Sequence, residues 1–130
     1  MKFLVVLKPE IVAHRVLAQV ALTELRRSGI EIEEMRRMRI DGTLAKKLYQ
    51  QHQGKFFYDR LVRHISSGDV IAMRVSGNAR QCIGSSRLWP RAEPAEQPIR
   101  QKLALSDVRN VAHASDEEAA SEELKLFDLQ

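Results

Sequence analysis

A chain of 130 residues is the size of one domain with a single core and too short for two. Its 44% hydrophobic and 29% charged residues are those of an ordinary globular protein and exclude a disordered or membrane-embedded chain. The net charge of +4 suits phosphate-bearing partners, nucleotides or nucleic acids, whereas aromatic residues at 5% leave few stacking platforms for an extended single strand.

The opening run Phe3 to Leu7 imitates a signal peptide, but Lys8-Pro9-Glu10 cuts it off too soon for an h-region. No stretch approaches the roughly 20 apolar residues that span a bilayer. The continuous apolar run predicts a short strand buried on both faces, the central strand of a sheet. From about Ala13, the positions Val16, Leu17, Val20, Ala21, Leu22 and Leu25 recur at helical spacing until Ser28-Gly29 supplies a C-cap. Ile30 to Arg39 reads as a second strand, with Ile30, Ile32, Met35 and Met38 as its apolar trace. Asp41-Gly42-Thr43 then turns the chain, with Thr43 predicted to cap a helix through Leu44, Leu48 and Tyr49. Gln50 to Lys55 is a polar connection.

Phe56-Phe57-Tyr58 opens the next predicted helix, with Leu61, Val62 and Ile65 buried, and Ser67-Gly68-Asp69 stops it. Val70 to Val75 is a third strand, ended by Ser76-Gly77-Asn78. Asn78 is placed to cap a short helix through Cys82, Ile83 and Leu88, and the Pro-rich run from Trp89 to Pro98 is a loop. Val108 to Ala112 is a fourth strand, and a last helix over Glu117 to Phe127 buries Leu124 and Phe127. Acidic residues crowd Asp107 to Asp128, while Arg dominates 26–39 and 60–100. The lone Cys82 forms no internal disulfide and points to a reducing, intracellular compartment. Three or four strands with helices returning between them predict an α/β (α+β) sandwich of the ferredoxin-like type, a small antiparallel four-stranded sheet with helices covering one face, forming one domain over residues 1–130. That fold hosts many functions, so chemistry has to be read from side chains.

The chemistry concentrates in Arg109-Asn110-Val111-Ala112-His113-Ala114-Ser115-Asp116, where an apolar step delivers a His between polar pairs. By itself the stretch reads as a polar turn with Asp116 as N-cap and His113 as a loop residue. Other segments change its weight. Lys8-Pro9-Glu10, Tyr49, Gly54-Lys55-Phe56-Phe57-Tyr58, Leu61-Val62, Ser67-Gly68, Ile99-Arg100 and the His113 stretch occur in an order that strongly resembles nucleoside diphosphate kinases, from about Phe3 to Phe127. Around Tyr58 and Leu105-Ser106-Asp107 the likeness is to a divergent eukaryotic branch of that family.

The resemblance implies a ping-pong transfer of the γ-phosphoryl of ATP or another nucleoside triphosphate to His113, and from the phosphohistidine to a nucleoside diphosphate. It implies Glu123 as the carboxylate that orients the imidazole; the match requires a one-residue deletion after Asp116, and Glu118 and Glu122 are alternatives. Lys8 and Arg100 correspond to phosphate ligands, Arg87 to a further arginine with Arg91 as its alternative, and Asn110 to the sugar-binding residue. Phe57 corresponds to the aromatic on which the base stacks, Leu61 to a residue lining the same slot, and Tyr49 to a hydroxyl near the histidine. Mg²⁺ is expected to arrive with the nucleotide rather than in a protein cage. The family implies a homo-oligomer, hexamer or tetramer, and a cytoplasmic location, with mitochondrial association left open.

Two departures from the family pattern stand out. The segment Arg87 to Ile99 is contracted and lacks a phosphate-contacting Thr, and Ala114 replaces a usual Gly, a strain of order 1 kcal/mol if that position has positive φ. They motivate an alternative: a nucleotide-binding or scaffold protein with weak or lost turnover. Nucleic-acid binding ranks last, because paired strand aromatics are absent.

Overall fold

The structure, a computed structural model, describes residues 2–77 and 111–130. The predicted helix from Asn78, the loop Trp89 to Pro98 and the first part of the strand expected from Val108 lie outside these residues. The described elements are β1 (Lys2–Leu7), α1 (Pro9–Val12), α2 (Arg15–Arg27), β2 (Glu31–Arg39), α3 (Gly42–Leu48), a 3-10 turn (Gln50–His52), α4 (Tyr58–Ile65), β3 (Asp69–Ser76), β4 (Ala112–Ala114) and α5 (Ala120–Leu126).

The four strands form one antiparallel sheet in the order β2-β3-β1-β4. The predicted central strand is central, flanked by β3 and β4. Alternate side chains of β1 serve two cores. Val5 and Leu7 pack with Met73 and Val75 against Ile11, Val12, Ala21, Leu22 and Leu25 of α1 and α2. Leu4 and Val6 pack with Val70 and Ala72 against Ala45, Leu48, Leu61, Ile65 and Leu124 of α3, α4 and α5. Helices therefore cover both faces of the sheet, not one. A strand apolar on both sides requires this, since leaving one face in water would forgo about 1.5–3 kcal/mol per large side chain.

Local chemistry explains most remaining differences from expectation. Pro9 ends β1 and also begins α1, because a proline's missing N–H costs nothing at the first helical position. In α2 the buried stripe is Ala18, Ala21, Leu22 and Leu25, while Val16 and Val20 are exposed. Its predicted C-cap is present, with Ser28 at the cap and Gly29 at φ +84°. The cap of α3 is Asp41, whose carboxylate accepts from Leu44 N at 2.8 Å; Thr43 lies inside the first turn. The aromatic pair Phe56-Phe57 precedes α4 instead of opening it.

In β2 the register shifts between Ile32 and Glu34, a bulge. It sets Ile32 opposite Val75 and Met35 opposite Met73, so residues three apart share a face, which simple alternation forbids. The helix expected from Glu117 begins at Ala120, residues 117–119 forming a turn closed by Asp116, whose side chain accepts from Ala119 N at 2.8 Å. Leu124 and Phe127 are buried as predicted.

Candidate active site

The fourth strand is displaced from its predicted position. Among the described residues it spans Ala112–Ala114, so His113 sits at its centre and not in a turn beyond it. Val6 pairs with His113 across β1 and β4, and directly opposite residues project to the same face. His113 therefore points where Val6 points, into the layer between the sheet and α3, α4 and α5. Ala114 has no positive φ and pairs in extended register with Val5, so the condition for strain at this position is not met.

Both ends of β4 are fastened. Ser115 N donates to Leu4 O at 2.9 Å, and Leu4 N donates back to Ser115 Oγ at 2.8 Å. At the entry, Lys8 N donates to Val111 O at 2.8 Å. Lys8 itself is only 2% exposed, at the end of β1, one residue beyond the Leu7–Ala112 pair.

His113 is 9% and Glu123 7% exposed. Their Nε2 and Oε1 atoms are 2.5 Å apart. A carboxylate oxygen can only accept, so Nε2 is the donor, and in the neutral imidazole the lone pair lies on Nδ1. α5 makes this contact through its phase: Ala120, Glu123, Leu124 and Phe127 form the buried stripe at helical spacing, whereas Glu118 and Glu122 are exposed and Glu122 faces Lys125 at 3.4 Å. Of the three carboxylates left open by sequence, Glu123 is the one against the histidine.

Tyr49, at the end of α3, is buried and stands edge-on to the His113 ring at 5.6 Å with an interplanar angle of 88°. From there a row of rings leads outward. His52 lies 6.3 Å from Tyr49 and 5.4 Å from Phe57, and Phe57 meets Phe56 edge-on at 5.3 Å. Lys55 Nζ is 5.7 Å from the Phe57 ring centre and 3.3 Å from His52 Nδ1. Leu61 is buried in the core of this face, against which Phe57 also packs. His52 was not singled out from sequence, where it fell within a polar connection; its place one helical turn after Tyr49 was the available signal. Burial, then the charges of Lys55 and His113, hold its pKa below the ordinary histidine value.

The structure thus gathers His113, Glu123 and Tyr49, brings the Lys8 backbone to the same strand pair, and links Phe57 to them through His52. Arg87, Arg91, Arg100 and Asn110 lie outside the described residues. Among the described residues, no three His, Cys, Asp or Glu side chains gather as a metal site, and no helix is long and apolar enough to cross a membrane.

Comparison with known proteins gives this arrangement a family. Residues 2–128 match the family described as nucleoside diphosphate kinase. The chain is 39% identical over 132 positions to a nucleoside diphosphate kinase of Metallosphaera sedula, covering 97% of this chain and 91% of that protein. It is 36% identical to one of Methanocaldococcus jannaschii, covering 95% and 89%. Among solved structures, a halophilic nucleoside diphosphate kinase from Halobacterium salinarum in complex with CDP superposes with a TM-score of 0.85 at 32% identity, covering 98% of this chain and 86% of that one. The Aquifex aeolicus nucleoside diphosphate kinase gives a TM-score of 0.85 at 25% identity, covering 97% and 93%. The chain belongs to the nucleoside diphosphate kinase family, enzymes that transfer a phosphoryl group between nucleotides.

Proposed function

We propose that this chain transfers the γ-phosphoryl of a nucleoside triphosphate to a nucleoside diphosphate in two half-reactions through a phosphohistidine at His113. The observation that carries this reading is the 2.5 Å contact between Glu123 Oε1 and His113 Nε2. It leaves Nδ1 as the nucleophilic atom and gives the ring a partner for the positive charge that develops as Nδ1 is phosphorylated. The Nδ1–P bond forms as the bond between the γ-phosphorus and the bridging oxygen breaks, and the departing diphosphate keeps that electron pair. The second half-reaction runs the same step backwards onto a new diphosphate.

Phosphoryl transfer depends on positioning and on neutralising the charge of the transferred group. Lys8, Arg100 and Arg87, or Arg91 in its place, would supply that charge, and Asn110 would bond the sugar. Phe57, with Leu61 beside it, would carry the base by stacking, which discriminates weakly among bases because each offers a π-face. Tyr49 would hold the His113 ring edge. Mg²⁺ would enter on the nucleotide phosphates, whose charge it offsets. A homo-oligomeric, cytoplasmic protein is part of the same reading, supported by family membership and the lone Cys82.

Incubation with γ-labelled ATP and Mg²⁺ is expected to yield an acid-labile, alkali-stable phosphoprotein that chases to a diphosphate acceptor. His113→Ala should abolish it. Wild-type protein that takes no label at millimolar Mg²⁺-ATP defeats the proposal.

A further inference from the structure

Outside the ring row, the described residues hold a second, part-buried ionisable pair. Glu10 on α1 and His64 on α4 meet through Oε2 and Nε2 at 2.6 Å, their side chains 8% and 14% exposed. The other carboxylate oxygen of Glu10, Oε1, accepts from Val111 N at 3.1 Å. Val111 is fully buried and has φ +83°. For a β-branched residue this is a true outlier, and such a conformation persists only where its surroundings over-determine it.

We propose that Glu10, braced by His64, is a positioning residue for His113 that acts through the Val111 peptide. Val111 is gripped at three points: its N–H by Glu10, its carbonyl by Lys8 N, and its side chain by the α1 and α2 core. The kink at Val111 delivers the chain directly into β4, which has three residues. In so short a strand the phase is set where the chain enters. A slip of one residue would turn His113 away from Glu123 and Tyr49 toward α1 and α2, because side chains alternate along a strand. Ser115 fastens the far end of β4 to Leu4, and Glu10 fastens the near end.

The carboxylate suits the task. Burial alone would raise its pKa, but hydrogen bonds from His64 and from Val111 N, together with one at its own backbone, outweigh that and hold it below the ordinary value. Glu10 is therefore an ionised acceptor at neutral pH. His64 fixes Oε2, which directs Oε1 at Val111. Glu10 also follows Lys8 and Pro9 in sequence, so one short segment supplies both the carboxylate and the backbone N–H that hold the two sides of Val111.

The inference rests on His113 being the nucleophile, and its test separates the two ideas. Single-turnover labelling over a range of γ-labelled ATP concentrations up to saturation is compared for wild type, Glu10→Ala, Glu10→Gln and His64→Ala, with ¹⁵N spectra of the His113 ring recorded in parallel. Glu10→Ala is expected to slow phosphorylation of His113 on the order of 100-fold, the effect of a misplacement of about 1 Å, with KM for ATP near the wild-type value. Glu10→Gln keeps an oxygen for Val111 N–H and an amide N–H for His64, and is expected to restore most of the rate. His64→Ala should give a smaller fall in the same direction. Wild-type rates in Glu10→Ala, or in His64→Ala should Glu10→Ala not fold, overturn the inference, as does an equal loss in Glu10→Ala and Glu10→Gln or a loss confined to KM. If wild type takes no label, the kinase reading fails separately. The positioning role is then decided by the ring resonances, which must move in Glu10→Ala and not in Glu10→Gln.

Discussion

Replacing Glu123 with alanine removes its hydrogen bond to the His113 ring, while Tyr49 still flanks it. In the proposed reaction the ring gains positive charge when Nδ1 is phosphorylated, so the Glu123 contact strengthens toward the transition state and its loss falls on kcat. A hydrogen bond to a charged group is worth about 1.5–3 kcal/mol. At about 1.4 kcal/mol per factor of ten, Glu123→Ala should slow phosphohistidine formation by about 10- to 150-fold. Glu123→Gln keeps an oxygen that can accept from Nε2–H but loses the charge, so roughly half the energy survives and the loss shrinks to about 3- to 12-fold. Quenched-flow labelling with γ-labelled ATP reads the rate, and its dependence on ATP concentration separates chemistry from binding. Glu122→Ala is the internal control, because Glu122 is exposed and faces Lys125. Wild-type rates in Glu123→Ala, or an equal loss in Glu122→Ala, would refute the assignment of the orienting carboxylate.

Two further outcomes test the frame around the site. Ser115→Ala leaves the buried Leu4 N–H without its acceptor, at a cost of about 1–3 kcal/mol; differential scanning calorimetry should show Tm falling about 4 °C for each kcal/mol lost, and an unchanged Tm would contradict the Ser115–Leu4 clasp. The second outcome is pH dependence. His52 has a folded pKa below its unfolded value, so the unfolded chain binds its proton first as pH falls, and the stability present above about pH 6.5 is progressively lost below it. Glu10 is also depressed, but as a carboxyl its contribution is present above about pH 4.3 and is lost as pH falls through its folded value. Urea midpoints measured from pH 7.5 to 3.5 should therefore decline in two stages, and His52→Gln should flatten only the upper one; an unaltered upper stage in His52→Gln would assign that stage to another group.

Patterns set by burial were legible in the sequence, and those set by a single hydrogen bond were less so. The double-sided apolar run of β1 predicts its central place because only a sheet covered on both faces accommodates it, and the same run should have required helices on both faces. Capping was harder: Asp41 and Thr43 are both good cap residues two positions apart, and only the Asp41 contact to Leu44 N decides between them. The phase of β2 was obscured by its bulge at Ile32 and Glu34. The displacement of β4 has a physical cause of the same kind. Val111 looks in sequence like an ordinary strand residue, yet it sits at φ +83° with its N–H held by Glu10, a hundred residues earlier; no local propensity encodes such a contact.

The place of Glu123 shows how a local rule bears on the candidate site. Ala120, Leu124 and Phe127 define a helical stripe in which 123 is an inward position. A glutamate at an inward position is costly unless it finds a partner for its charge. The one-residue deletion after Asp116 makes alignment ambiguous, but the helix phase does not depend on alignment: Glu122 points outward and Glu118 precedes the helix. On the facing strand, the parity that places Val6 in the α3, α4 and α5 core also places His113 there. Two polar side chains, each at a position whose neighbours are apolar, therefore face each other across one layer. Neither would be stable there alone, and together they hold one imidazole nitrogen as the donor, so that in the neutral ring the other keeps its lone pair, the form that a phosphoryl acceptor requires.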